Sequence, residues 1–62
     1  MIKEFFGQKV KIPNGYNEVE EGIFVNNQGV EYQVVRYGGE QICLETIYSK
    51  HVRTVELETI KQ

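Results

Sequence analysis

The chain has 62 residues, with seven Lys and Arg against nine acids and a formal net charge of −2. A chain this short forms one domain and buries only about 60% of the surface its unfolded form exposes. Two-domain enzymes, doubly wound nucleotide-binding folds and repeat arrays are excluded by size. No stretch approaches the roughly 20 apolar residues of a bilayer-spanning helix. Residues 1–7 lack the apolar segment of a signal peptide. A cytoplasmic protein without a membrane partner is therefore expected.

The apolar inventory leans to one side: eight Val and six Ile against two Leu and no Ala, with four Tyr and three Phe. Val, Ile, Tyr and Phe suit a pleated, half-buried surface, whereas Ala and Leu are what helices prefer. An all-β domain is expected before any pattern is read. The mild negative charge disfavours a dedicated nucleic-acid module, because phosphate neutralisation supplies most of the affinity of such modules. The single Cys43 has no internal disulfide partner, which agrees with a reducing compartment.

In chain order, Val10 and Ile12 alternate with Lys9 and Lys11, which predicts a first strand over 8–12. Pro13 stops it, and Asn14-Gly15 supplies a turn. The polar stretch 16–20 reads as a loop. A second strand is predicted over 21–26, with Ile23 and Val25 on the core face and Phe24 pointing away. Asn27-Gln28-Gly29 is a hairpin turn signal. A third strand over 30–37 places Val30, Tyr32 and Val34 on one face, then Val35 and Tyr37 on the other, as in a bent barrel strand. After Gly38-Gly39, a fourth strand over 41–47 presents Ile42 and Leu44 together, with Cys43 and Ile47 opposite. The polar piece 48–51 reads as a short 3₁₀ turn. A fifth strand covers 52–57, followed by a frayed tail over 58–62; a short helix over 52–62 is the competing assignment. Five short strands with turn signals between them describe a small closed barrel or sandwich.

The middle of the chain resembles the SH3-like barrels, the architecture shared by SH3, Tudor and KOW modules. The likeness is carried by Gly22-Ile23-Phe24-Val25, the Asn27-Gln28-Gly29 turn, and Tyr32-Gln33-Val34-Val35-Arg36-Tyr37-Gly38-Gly39-Glu40. It spans about residues 8–57 and implies a five-stranded SH3-like barrel with a 3₁₀ turn before its last strand. A second likeness, to the Sm-like barrel, rests on Gly7-Gln8-Lys9-Val10, Asn14-Gly15 and Gly22. The chain lacks the Trp on which SH3 peptide grooves depend. Such barrels host many unrelated functions, so the resemblance speaks to fold alone.

Candidate sites are few. Ser49 and His51 lie two residues apart, but the chain has no Asp to orient the imidazole, so no catalytic residue and no enzyme activity are assigned. One Cys and one His cannot complete a structural zinc site, and no phosphate loop precedes a helix, so no metal or cofactor is expected. The tyrosines are more informative, because Tyr combines large contact area with a hydroxyl at low entropic cost. Tyr16 and Tyr48, on predicted loops, together with Tyr37 and Phe24, form the candidate partner-binding set. The alternative is a nucleic-acid surface of Lys9, Lys11, Arg36, Lys50 and Arg53. The leading expectation is a non-enzymatic module that binds a protein partner, monomeric or homodimeric. Its analogues are small phage or mobile-element proteins that act on a host factor. A nucleic-acid-binding barrel and a structural subunit of a homo-oligomer are the rivals.

Overall fold

A computed structural model describes residues 1–60. Among these residues the chain forms eight strands: β1 (Ile2–Phe5), β2 (Gln8–Lys11), β3 (Asn17–Glu20), β4 (Ile23–Val25), β5 (Glu31–Tyr37), β6 (Gln41–Thr46), β7 (Thr54–Glu56) and β8 (Glu58–Ile60). They make two antiparallel sheets, of order β1-β2-β8 and β3-β4-β5-β6-β7. The all-β expectation holds. The closed five-stranded barrel does not, because the two sheets are not joined into a ring. The 3₁₀ turn at 48–51 is also absent; bends occupy that stretch.

Strand β1 was not expected. It forms because Phe6 and Gly7 both take positive φ, 54° and 77°. That is the two-residue primed turn whose twist matches a hairpin. Strand β3 falls in the stretch read as a loop. Its pairing slips between Glu18 and Glu20, which leaves Val19 as an exposed bulge residue. The fifth expected strand divides at Leu57. Its amide donates to the Ile42 carbonyl at 3.0 Å, continuing the β6 ladder, and the next residue pairs with Lys11 of β2. One extended segment thus passes from sheet to sheet at a buried leucine, as strands do at sandwich corners. The helical alternative is removed over 54–60, and the expected fraying gives way to β8; Lys61 and Gln62 lie outside the described residues.

Pro13 limits closure. Extending the β2–β8 register would set it opposite Glu56, where it has no N–H to donate, so β2 departs before it can follow β7. The opposite margins, β1 and β3, are the free edges of their sheets. Lys3 pairs with Val10 and Glu18 with Phe24, so both charged side chains start from core-facing positions. They meet as an ion pair at 2.8 Å, and the second Glu18 oxygen accepts the Gly22 N–H at 3.1 Å. The Lys3 ammonium first, and the Gly22 amide second, hold the Glu18 carboxyl below its ordinary pKa. Charge turned inward on an edge strand is a recognised defence against edge-to-edge association.

The core consists of Val10, Ile12, Phe24, Tyr32, Ile42, Leu44 and Leu57, with Phe5, Tyr16, Val30, Val34 and Val55 packed around it. Most of these positions follow the expected alternation. The faces of β4 are inverted: Phe24 is 0% exposed, while Ile23 and Val25 are half-buried. Phe24 lies opposite Tyr32 in the register and meets the Phe5 ring edge-on at 6.0 Å. Phe6, at the hairpin tip, stays exposed and does not cover it.

Candidate functional site

The segment between β6 and β7 carries Tyr48, the most exposed large hydrophobic side chain among the described residues. Its base is closed by two reciprocal bonds. The Thr46 amide donates to the Arg53 carbonyl, and the Arg53 amide donates to Thr46 Oγ1, each at 3.0 Å. Its tip is held by Ser49, whose hydroxyl donates to the His51 carbonyl at 2.7 Å and accepts the His51 amide at 3.2 Å. The Ile47 amide donates to the Glu31 carbonyl at 3.0 Å, which ties the loop to the start of β5.

Between these anchors Tyr48 adopts φ 60°, in the left-handed region that L-residues with bulky side chains avoid. The consequence is a ring projected into solvent, 95% exposed. Val52, four residues on, is 65% exposed. A shallow depression of about 620 Å³ lies between residues 29–31 and 47–51. Lys50, His51 and Arg53 are exposed, and no acid occurs between Glu45 and Glu56. Among the described residues, Lys50 and Arg53 form no ion pair.

The other candidates fall elsewhere. Tyr16 is half-buried and packs edge-on against Tyr32, ring centres 5.4 Å apart. Burial first, and the neighbouring Tyr32 hydroxyl second, raise its pKa. It lines a separate depression with Met1 and residues 12–18, which shares no residue with the one beside Tyr48. Tyr37 lies on the outer face of the larger sheet, where its hydroxyl donates to Glu45. That bond is the main cause of its raised pKa. Because the Val35–Cys43 pair lies between the Tyr37 and Glu45 rows, the Tyr37 side chain spans it. This explains why Cys43, on an outward position, is buried. Phe24 belongs to the core and offers no surface, which corrects its place in the binding set. The four residues therefore do not converge.

The basic set is also dispersed. Lys9 stands opposite Glu4, and Lys11 opposite Glu58, on the outer face of the three-stranded sheet. Arg36 donates from Nε to the Gly39 carbonyl at 2.7 Å, at the β5–β6 turn. The loop of Lys50 and Arg53 follows the other end of that hairpin, five ladder steps away, or about 17 Å. Across the strands, Glu4 and Glu58 offset the charge of Lys9 and Lys11.

Among the described residues, no group of three His, Cys or Glu side chains is arranged to hold a metal ion. No helix of the described residues is long and apolar enough to cross a membrane. Comparison with protein-family models, curated proteins and solved structures finds no match to this chain. What the loop offers chemically is contact area, hydroxyl and cationic donors, and little conformational freedom. The broken alternation at 48–51 marked it in the sequence; the backbone angle that aims Tyr48 outward has no signature there.

Proposed function

We propose that this chain is a non-enzymatic protein-binding module that grips a segment of its partner with the 46–53 loop, Tyr48 serving as the anchor. The observation that carries the reading is the state of Tyr48. Its ring is almost wholly exposed, and its backbone is held in the left-handed region. Strain of that kind costs on the order of 1–3 kcal/mol and persists where the surroundings enforce it, commonly at ligand clamps. The hydrogen bonds at Thr46, Ser49 and Ile47 supply that enforcement. A loop ordered beforehand loses less entropy on binding. Tyrosine is also a residue in which binding energy concentrates.

The reading is tested by selecting a displayed peptide library on the immobilised protein, then measuring the selected peptides against Tyr48→Ala. Peptides that lose at least about tenfold in affinity on that substitution support it. A selection that yields no binder, or binders indifferent to Tyr48→Ala, overturns it.

A further inference from the structure

The 46–53 loop is also where the sign of the surface charge reverses. Two of the seven basic residues and the single histidine lie in it, and none of the nine acids does. The remainder of the chain is therefore more acidic than the formal net charge of −2. Elsewhere among the described residues the lysines face carboxylates: Lys3 bonds Glu18, Lys9 stands opposite Glu4 and Lys11 opposite Glu58. Lys50 and Arg53 form no ion pair among the described residues, and Glu31 is the one acid that lines the depression beside Lys50.

We infer that the partner segment is an acidic peptide, with Asp or Glu side chains set beside an apolar or aromatic residue. The inference rests on the binding role proposed above for this loop. The carboxylates meet Lys50 and Arg53, and the apolar residue meets the exposed Tyr48 ring and Val52. An acidic segment is repelled by the net negative charge of the rest of the chain and attracted to this loop, so charge orients the encounter as well as adding affinity. A phosphate backbone fits less well. Single-stranded binders need a continuous positive track with several stacking rings. This loop offers two permanent cations and one free ring. Glu31 lines the same depression and opposes a chain charged at every unit. A peptide can place a neutral residue there.

The test is titration of the ¹⁵N-labelled protein, at low salt, with octaglutamate, octalysine and octathymidylate. Octaglutamate is expected to shift amides of residues 46–53 and 29–31. The double variant Lys50→Glu/Arg53→Glu should weaken this about tenfold, two exposed pairs taken together, and leave the other amides in place. Absence of shifts with octaglutamate overturns the inference, as do loop shifts of equal size with octalysine. Equal shifts with octathymidylate would make this a phosphate site and overturn it too. The library selection separates this from the parent reading. Binders that depend on Tyr48 but are poor in Asp and Glu overturn the acidic class alone, whereas the lack of any Tyr48-dependent binder overturns both.

Discussion

Replacing Tyr48 by Gly and, separately, by Ala should reverse the usual order of those two residues. At an ordinary position Ala is the more stable, because Gly gains more freedom in the unfolded chain, by roughly 0.5–1 kcal/mol. At φ 60° an Ala keeps the Cβ clash that disfavours left-handed backbone, about 1–2 kcal/mol, and Gly does not. The ring itself contributes little to the fold. With 95% of Tyr48 exposed, only on the order of 10 Å² of a residue of roughly 200 Å² is buried, which is about 0.25 kcal/mol. Tyr48→Gly should therefore equal or exceed the wild type in stability and exceed Tyr48→Ala by about 0.5–1 kcal/mol. For a domain of this size that difference is roughly 2–8 °C in Tm. Thermal unfolding followed by circular dichroism reads it directly. A Tm for Tyr48→Ala equal to or above that of Tyr48→Gly would refute the strain argument, and with it the claim that the loop holds Tyr48 against its own preference.

Three further outcomes follow from the fold. Phe24→Ala removes a fully buried ring, at a cost of about 3–5 kcal/mol, comparable to the whole stability of a chain this short. It should be unfolded at 25 °C while Phe24→Leu folds, and a cooperative Phe24→Ala melt at the wild-type Tm would return Phe24 to the surface. Asn26 Oδ1 accepts the amides of Gln28 and Val30, each at 2.9 Å, and so fastens the β4–β5 turn. Asn26→Ala should cost about 1–2 kcal/mol in urea titration, Asn26→Asp much less, and equal losses in both would place the cause outside those bonds. The depressed Glu18 carboxyl adds stability at pH values above the ordinary Glu pKa, and that stability is lost as the pH falls through its lower folded value. Its partial exposure keeps the amount below about 1 kcal/mol. Glu18→Gln should melt below the wild type at neutral pH and match it in strong acid; a gap that persists in acid would implicate packing.

The elements that could be read in advance are those in which period-two burial and turn chemistry agree. The stretches 8–12, 30–37 and 41–47 pair small or branched apolar residues at alternate positions with Pro or Gly at their margins. They became β2, β5 and β6 with nearly the same limits. Where the two signals separate, tertiary context decides. Phe6-Gly7 is a poor match to the favoured turn pairs, yet it turns β1 into β2. Asn17–Glu20 has one apolar residue, and even that one is bulged outward, so β3 exists by pairing with β4 and by the Lys3 contact. In β4 the choice lay between burying one large side chain or two smaller ones. Register with Tyr32 selects Phe24, and a sequence pattern contains no register. The same limit explains the site: that Tyr48 lies in a loop was legible, while its separation from Tyr16 and Tyr37 depends on which strands become neighbours.

Four tyrosines in so short a chain therefore carry two kinds of duty. Tyr32 and Tyr16 are ring against ring at the core, and Asn26 Nδ2 donates to the Tyr32 hydroxyl at 3.5 Å. Tyr37 spends its hydroxyl on Glu45 and its ring on covering Cys43. Tyr48 supports neither sheet. Its loop is fastened through backbone groups and the hydroxyls of Ser49 and Thr46, so the side chains at 48, 50, 52 and 53 are free of structural work. A domain of this size has little stability to spare, so a surface shaped for a partner is best carried where substitution leaves the core untouched. The recognition proposed for this chain would sit there: the geometry of the loop belongs to the fold, and its chemistry belongs to residues the fold does not need.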